Sequence, residues 1–274
     1  MYLTPLDFGL SLGLSLLVAA AAWKKGSLSL SGFFAATILG TLVWLLGQWL
    51  FWSILIAFFI PSSLLSRFQR ENKTNVEKEY AKSGRRDWVQ VAANGLVGLS
   101  FAAGWAFSQQ NPLWAAGYYA TFAAVNADTW ATEIGVLSQR PPVSILTLKP
   151  VSPGMSGAVS RLGTTAALGG ALFIATASAI GLGFSTQGNI NLARLALVTT
   201  IGGFTGALID SLLGATLQAM YSCPRCGKLT ERREHCGQPT SLARGLARLN
   251  NDLVNAVSSL AGALLAIALW LLLS

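Results

Sequence analysis

Long apolar runs dominate this chain and alternate with short polar connections. Several runs reach the roughly 18–20 residues that a helix needs to cross a bilayer. We therefore predict an all-α, polytopic membrane helical bundle of about eight spans, forming a single integral membrane domain over residues 1–274. The predicted spans cover residues 8–23, 27–46, 49–66, 88–107, 113–137, 156–183, 192–220 and 252–273. Only Gly47 and Gln48 separate the second span from the third, in which Pro61 is a candidate kink.

Composition supports the same class. Of 274 residues, 53% are hydrophobic and only 11% are charged, whereas a soluble domain carries about a quarter charged residues. No basic stretch precedes the first apolar run, so a cleaved signal peptide is not expected. The lipid membrane is the predicted environment, either the plasma membrane or an internal one.

Basic residues occupy alternate connections, after the first, third, fifth and seventh spans. This pattern includes 18 of the 19, with Arg194 as the exception. By the positive-inside rule these connections face the cytoplasm and both termini are non-cytoplasmic. Topology alone explains the net charge of +8, so no nucleic acid is expected, although some of these residues can also hold an anionic substrate. They are Lys24, Lys25, Arg67, Arg70, Lys73, Lys78, Lys82, Arg85, Arg86, Arg140, Lys149, Arg161, Arg225, Lys228, Arg232, Arg233, Arg244 and Arg248.

Four carboxylates fall within or beside spans, all in the cytoplasmic half: Asp128, Glu133, Asp210 and Asp252. Carboxylates at this depth usually mark function, although a structural ion pair or helix cap is the alternative. Oxygen ligands of this kind suit Mg²⁺, which typically bridges carboxylates to substrate phosphates. On a regular helix, however, Asp128 and Glu133 point about 140° apart. Either the helix unwinds locally, or the site flanks it on two sides.

Amides and small residues lie at the same level as the carboxylates. Gln90 and Asn94 share one helix face of the fourth span, and Asn251, Asn255, Ser258 and Gly262 form a stripe on the eighth. Gly202, Gly206, Asp210 and Gly214 recur every four residues on the seventh span. Such ladders let helices approach closely and leave room for a ligand or ion.

A glycine- and serine-rich connection precedes the sixth span, with the sequence KPVSPGMSGAVSRLGTT at residues 149–165. Free backbone N–H groups at a helix start, with basic side chains beside them, favour phosphate binding. A flexible turn leading into a helix interface is the alternative, and the P-loop spacing is absent. The candidate phosphate residues here are Lys149, Gly154, Ser156, Gly157, Ser160 and Arg161, with Arg85 and Arg86 at the same membrane surface.

The only histidine and all three cysteines lie in one cytoplasmic Cys/His loop, residues 221–250, which contains CPRCGKLTERREHCG. Cys223, Cys226, His235 and Cys236 can bind structural Zn²⁺ tetrahedrally, although adjacent ligands at 235 and 236 are unusual. A redox pair or no metal at all are the alternatives, and a disulfide is disfavoured in the cytoplasm.

Four of these motifs together resemble the transmembrane-protein-19 family, which includes the plant and cyanobacterial phytyl-phosphate kinase. They are NADTWATEIG, PVSPGMSGAVSRLGTT, GALIDSLLGATLQ and LNNDLVNAVSSLAGA. GRRDWVQVAANG and the Cys/His loop also look like bacterial members of that family. The resemblance covers the chain from about residue 84 to the C-terminus.

The resemblance implies a membrane kinase that converts an isoprenoid monophosphate to the diphosphate with a nucleoside triphosphate and Mg²⁺, as in tocopherol biosynthesis. The active site would face the cytoplasm, and whether the chain forms a homo-oligomer stays open. Asp128, Glu133 and Asp210 would be catalytic and, with Asp252, metal residues. The resemblance also assigns Asn126, Asn251 and Asn255 to metal or phosphate, and Asn94 lies nearby.

Three other functions remain possible from the residues. Glycine ladders and buried acids also occur in ion-coupled transporters, but here the acids lie toward one side of the membrane. A CTP-dependent lipid cytidylyltransferase or polyprenol kinase would use the same metal site. A non-catalytic membrane partner does not account for the buried acids.

Overall fold

A computed structural model describes residues 4–68, 84–184 and 190–273. These residues form seven helices with short strands in two of the connections. The helices are α1 (Pro5–Lys24), α2 (Leu30–Leu65), α3 (Trp88–Phe107), α4 (Pro112–Gly135), α5 (Arg161–Gly183), α6 (Leu192–Thr216) and α7 (Asn251–Leu272). The strands are β1 (Val143–Ser144), β2 (Ala158–Val159), β3 (Met220–Ser222), β4 (Leu229–Thr230), β5 (Glu234–His235), β6 (Gln238–Pro239) and β7 (Ser241–Arg244). Arg70, Lys73, Lys78 and Lys82 lie outside the described residues.

Every described helix begins at a polar residue whose side chain accepts a hydrogen bond from a first-turn N–H group. This capping satisfies donors that the start of a helix leaves without intrahelical partners. Short polar caps between the apolar runs therefore decide where each helix starts. The caps are Thr4, Ser29, Asp87, Asn111, Ser160, Asn191 and Asn250.

The long helix α2 folds back on itself at Gln48. This residue has non-helical angles of φ 57° and ψ −161°. Phe33 and Phe59, on opposite sides of the fold, both pack against Ala19, Ala22 and Leu28. In a straight helix they would lie about 39 Å apart. The two arms of α2 therefore form an antiparallel hairpin. Its turn lies where only Gly47 and Gln48 separate the second predicted span from the third. Pro61 lies within the second arm, where the described backbone stays helical.

Helix α4 lies at the centre of the bundle, packed against α2, α3, α5, α6 and α7. Thirteen consecutive residues of α4, Ala115 to Ala127, are buried. Six described helices, all except α4, are long and apolar enough to cross a membrane. Because other helices surround α4, its residues do not face lipid. Small residues such as alanine can therefore occupy positions where a lipid-facing helix would carry leucine.

The predicted glycine ladder on α6 forms a close helix–helix contact. A Cβ added at Gly202 would lie 2.6 Å from the Gly262 carbonyl oxygen of α7, and one at Gly206 would lie 2.6 Å from the Ala124 Cβ of α4. A Cβ at Gly214 would lie 2.8 Å from Ser156 Oγ. The ladder therefore draws α6 onto α7, α4 and the Gly/Ser connection.

One end of the bundle carries the connections that were predicted to be cytoplasmic. The C-terminal ends of α1, α2, α4 and α6 and the N-terminal ends of α3, α5 and α7 meet at one large cavity there. The start of α1 and the end of α7 therefore lie at the opposite end. The chain is thus a polytopic helical membrane protein, while the count of eight spans and the cytoplasmic side remain predictions.

Two segments predicted as helix belong instead to the connections. The sixth span was predicted from residue 156, but α5 starts at Arg161 after the β1–β2 hairpin. The seventh was predicted to residue 220, but α6 ends at Thr216, before β3. At the first place the Ser160 cap fixes the start of α5. At the second, the pairing of β3 with β4 and β7 ends the helical segment. In the Cys/His loop, β3 pairs with β4 and β7, and β5 pairs with β6.

We expect Gly202→Val to destabilise the bundle by about 1–3 kcal/mol, because the new side chain meets backbone that cannot rotate away. Thermal unfolding in detergent measures the loss. The control is Gly13→Val, since nothing lies within 4 Å of a Cβ at Gly13. Equal melting temperatures for the two variants would contradict the close α6–α7 contact.

Candidate functional site

A single large cavity lies at the end of the bundle where most of the predicted site residues meet. Its volume is about 790 Å³, in the upper part of the roughly 300–1,000 Å³ range of typical ligand pockets. The predicted residues on its wall are Arg85, Arg86, Asn94, Asp128, Glu133, Gly154, Ser156, Gly157, Ser160, Asp210, Asn251 and Asp252. The cavity is therefore large enough for a ligand of ordinary size, and it brings these polar residues around one space.

Two of the carboxylates come together from different helices. Asp128 of α4 and Asp210 of α6 are close enough for their charges to repel. Asp210 is 8% exposed, and its Oδ2 accepts a hydrogen bond from Ser258 Oγ of α7 at 2.9 Å. Asp252, at the start of α7, lines the same cavity. Two neighbouring carboxylates in a partly buried cavity favour a bound cation, which removes their repulsion.

Glu133 faces a different side of α4. One of its carboxylate oxygens accepts a hydrogen bond from Ser66 Oγ at 2.5 Å, and its charge attracts the Arg86 guanidinium. Helix α4 stays regular from Asp128 to Glu133. Of the two arrangements that the sequence allowed, the structure has the second, because the cavity wraps around the end of α4.

Arg86 is held by the backbone as well as by its side chain. Its N–H donates to Ser27 O and its carbonyl accepts from Ser29 N, both at 3.0 Å. The guanidinium lies 5.7 Å from the ring centroid of Phe58 and 5.8 Å from that of Phe59. Burial lowers the pKa of Arg86, while the charge of Glu133 raises it. Since arginine stays protonated in proteins, this is a fixed positive charge in the cavity wall.

Other basic groups on the cavity wall extend the positive surface. Arg67 donates to Lys25 O and, at 2.9 Å, to Ser27 Oγ, and Arg140 lines the opposite rim. In contrast, Lys149 and Arg161 are exposed and do not line the cavity. The positive charge near the carboxylates therefore comes mainly from the ends of α1, α2 and α3.

The Gly/Ser connection forms one wall of the cavity. Gly154 and Gly157 have φ angles of +83° and +81°, a conformation that glycine adopts without strain. A Cβ at Gly157 would lie 2.4 Å from the Ala215 Cβ, so this loop packs directly on the end of α6. Ser160 caps α5, accepting from Gly163 N at 3.0 Å. The wall thus combines tight turns with a helix start, as anion binding requires.

The predicted amides have different positions. Asn94 lines the cavity and accepts from Asn255 Nδ2 at 3.4 Å, while Asn255 lies behind it. Asn251 is exposed at the cavity mouth. Asn126 is fully buried away from the cavity, accepting from Ser62 Oγ at 3.3 Å and donating to Gly170 O at 2.8 Å. Asn126 therefore ties α4 to α2 and α5 rather than facing a ligand.

Sequence reasoning did not single out several residues of the cavity wall. Ser66 and Arg67 follow the second arm of α2, and Glu231 enters from the Cys/His loop. Arg244 lies outside the lining but supports it, since it donates to Ser156 O of the wall at 3.4 Å and to Gly214 O at 3.1 Å, and burial lowers its pKa. The positive-inside clustering signals Arg67, but nothing local in the sequence signals Glu231.

A second, narrow and apolar cavity with a volume of about 60 Å³ adjoins the first. It lies between α1, both arms of α2, and α3. Arg86, Gln90 and Asn94 line both cavities. A polar chamber and an apolar one therefore share a wall that carries a positive charge.

The four ligand candidates of the Cys/His loop converge outside the cavity. Their ligand atoms all lie within 4.8 Å of one another. A hydrogen bond with His235 lowers the pKa of the Cys223 thiol to about 6. The thiolate is the form that binds metals.

The oxygen donors of Asp128, Asp210 and Asp252 fit Mg²⁺ in chemical type, since this cation takes oxygen ligands and keeps several waters. The cavity leaves room for those waters and for phosphate oxygens. Among the described residues, only the Cys/His loop brings three or more His, Cys, Asp or Glu ligand atoms together, so the aspartates would supply part of the Mg²⁺ shell and waters or phosphate oxygens the rest.

Comparison with known proteins identifies relatives across most of the chain. The family described as "Integral membrane protein DUF92" matches residues 13–263. Protein PGR of Arabidopsis thaliana is 32% identical over 270 residues, covering 90% of each chain. Protein VTE6, chloroplastic, of the same plant is 28% identical, covering 88% of this chain and 64% of its own. An uncharacterised membrane protein of Methanocaldococcus jannaschii is 29% identical, covering 90% and 87%. No solved structure matches.

We expect Asn126→Ala to lower stability by about 1–3 kcal/mol, because two buried partners lose their hydrogen bonds. The melting temperature in detergent should fall. Ser100→Ala is the control, since Ser100 is exposed and bonds only within its own helix. A melting temperature equal to wild type would contradict the structural role of Asn126.

Proposed function

Because the chain belongs to the DUF92 integral membrane family, whose membership confirms the resemblance in its motifs, we propose that it is a membrane kinase. It would convert an isoprenoid monophosphate, such as a phytyl-like one, to the diphosphate with a nucleoside triphosphate. The observation that carries this proposal is the meeting of carboxylates, arginines and a Gly/Ser turn in one cavity. Transfer of a phosphoryl group between two phosphorylated substrates can use all three, because each can neutralise or orient phosphate oxygens directly or through a bound cation.

The carboxylates and arginines would have separate roles. Asp128 and Asp210, with Asp252 nearby, would hold Mg²⁺, which when bound neutralises nucleotide phosphate charge. Arg86 would hold the phosphate of the lipid substrate beside the apolar cavity. Glu133 would position Arg86 by attracting its guanidinium. The backbone N–H groups around Gly154 and Gly157 would bind nucleotide phosphates.

The reaction then needs no strong base. An oxygen of the monophosphate, already anionic near neutral pH, attacks the γ-phosphorus of the nucleotide and forms a new P–O bond. The bond from the γ-phosphorus to the β–γ bridging oxygen breaks, and the nucleoside diphosphate leaves with that electron pair. Catalysis is therefore mostly positioning and charge stabilisation, which fixed arginines and a packed loop can supply.

Two alternatives would use the same cavity differently. In a CTP-dependent cytidylyltransferase, the lipid phosphate would attack the α-phosphorus of CTP, and pyrophosphate would leave. A transporter would need access from both membrane faces, whereas the carboxylates and the cavity mouth lie at one end of the bundle. The location of the carboxylates therefore favours an enzyme.

The decisive measurement offers phytyl or geranylgeranyl monophosphate with CTP or ATP and Mg²⁺ to the purified full-length protein, with mass spectrometry of the lipid products. We expect the diphosphate from wild type. Asp128→Asn, Asp210→Asn, Glu133→Gln and Arg86→Gln should each reduce turnover by about 100-fold or more, since each removes fixed charge from a partly buried site.

Lys24→Gln is the matched control. Lys24 is exposed at the same end of the bundle but outside the cavity, and its loss should change turnover by less than about twofold. Full activity in the folded Asp128→Asn and Arg86→Gln variants would refute the assignment. A nucleotide–lipid product with pyrophosphate would identify a cytidylyltransferase, and flux into liposomes without nucleotide use would identify a transporter.

A further inference from the structure

We propose that the apolar cavity binds the hydrocarbon tail of the substrate, with Trp52 and Ser15 forming its floor. The identity of the tail rests on the proposed function, but the site itself rests on the geometry of the cavity. Its walls include Val18, Ala36, Leu55, Ile56 and Val91. An occupant must therefore be largely hydrocarbon.

The occupant must also carry an anionic group at one end. The apolar cavity meets the polar cavity where Arg86, Gln90 and Asn94 line both. The guanidinium of Arg86 lies at this junction against the Phe58 and Phe59 rings. A lipid phosphate fits this arrangement, because its phosphate can reach Arg86 while its tail continues between α1, α2 and α3.

The opposite end of the apolar cavity is closed by a hydrogen bond between helices. Trp52 Nε1 of the second α2 arm donates to Ser15 Oγ of α1 at 3.2 Å. Trp44 packs edge-on against Trp52, with ring centroids 5.5 Å apart. Gly40 lies against both partners of the hydrogen bond, because a Cβ there would be 2.7 Å from Ser15 Oγ. The indole is thus held in place as a floor.

The depth of the cavity follows from the first arm of α2. Gly32 packs on the Arg86 carbonyl and Gly40 packs at the floor. Eight residues at 1.5 Å per residue separate these levels by about 12 Å. Because its bonds of about 1.5 Å zigzag, an extended hydrocarbon chain advances about 1.25 Å per carbon, so roughly ten carbons span that depth. Longer tails must bend or leave the cavity, so Trp52 would set the preferred chain length.

Binding of hexyl, decyl and hexadecyl monophosphate to the full-length protein, measured by thermal stabilisation in detergent, tests this. Affinity should rise up to about the decyl chain, by as much as fourfold for each buried methylene, and then level off. Trp52→Ala should extend the rise to the hexadecyl chain. Ala36→Phe, halfway down the cavity, should end the rise at a shorter chain.

Trp49→Ala is the control, because Trp49 is 44% exposed and does not line the cavity, so the wild-type profile should persist. The same length profile in wild type, Trp52→Ala and Ala36→Phe would overturn the proposal, as would affinity that does not depend on length. Binding with the predicted profile but no turnover would refute the kinase and leave the tail site. If the protein turns over substrate but Trp52→Ala and Ala36→Phe keep the wild-type length profile, the tail site is refuted and the kinase stands.

An independent observation concerns the Cys/His loop, for which we infer one structural Zn²⁺ ion. Cys226 Sγ lies 3.8 Å from Cys236 Sγ, and His235 Nδ1 lies 3.5 Å and 3.2 Å from these two sulfurs. A tetrahedral zinc with Zn–S bonds of about 2.3 Å has ligand–ligand edges of about 3.5–3.8 Å. The three cysteines form no disulfide; the 3.8 Å and 3.5 Å spacings match the edges of a zinc site, and the 3.2 Å spacing between His235 Nδ1 and Cys236 Sγ is slightly shorter.

Two turns present the ligands. Cys223 and Cys226 flank the turn between β3 and β4, and His235 and Cys236 lie at the turn between β5 and β6. Cys236 has a φ of 55°, in the left-handed region. This backbone rotation lets the adjacent His235 and Cys236 side chains face one centre, which explains how neighbouring residues can both be ligands.

The ion would also stabilise the rim of the large cavity. Just beyond β4, Glu231 lines the cavity and accepts from Gln218 Nε2 at 2.8 Å. On β7, Arg244 donates to Gly214 and Ser156 carbonyls. Since β3 pairs with both β4 and β7, zinc bound at the β3–β4 turn would position this wall without touching substrate.

Metal analysis of the purified protein tests the site directly. We expect about one zinc per chain in wild type, as four protein ligands form one closed structural site, and little in Cys226→Ser or Cys236→Ser. His235→Cys should keep the metal, because four cysteines also bind zinc tetrahedrally. Gln238→Ala, on β6 directly after the turn, is the control and should keep full zinc.

Thiol titration gives a second readout. The wild-type thiols should react slowly with an aromatic disulfide reagent until a chelator is added. Zinc content in Cys226→Ser equal to that of wild type would overturn the inference. So would wild-type protein from zinc-supplemented cells that holds no zinc and has freely reactive thiols.

Discussion

The close approach of helices α4, α5, α6 and α7 is the constraint on which the rest of the structure depends. Small residues make it possible: Gly202 meets Gly262, Gly203 meets Ala123, and Gly170 meets Ala127. In a membrane the hydrophobic effect does not drive helices together, so they associate through close van der Waals packing. Larger side chains at these positions would keep the helices apart. The close contacts also place Asp128 and Asp210 on facing helices, so the packing of the bundle decides the geometry of the carboxylates.

Charge is the second consequence of that packing. Two neighbouring carboxylates repel each other, and a bound cation relieves this repulsion. Arg86 and Glu133 lie on the other side of α4, where opposite charges attract. The end of α4 thus separates an acidic region from a basic one within a single cavity. Such a division suits a reaction in which one phosphate arrives with a metal and another with a hydrocarbon tail.

The motifs of the sequence contain many of the residues that line the large cavity, but they do not tell a cavity-facing residue from a structural one. Asp128, Glu133 and Asp210 all reach the cavity, as buried acids led us to expect. Asn126 comes from the same motif, yet it bonds to Ser62 and Gly170 inside the bundle. Lys149 and Arg161 flank the Gly/Ser turn but remain exposed. Asn126 and Asp128 are only two residues apart, yet Asn126 faces the bundle interior and Asp128 faces the cavity.

The sequence by itself determined the membrane class and the family. Both follow from local patterns: the length of the apolar runs and the short motifs between them. Only the tertiary structure decided that α2 folds back at Gln48, that the cavity flanks α4 on two sides, and that Glu231 joins its wall. These features depend on contacts between residues far apart in the chain, which periodicity along one helix does not encode.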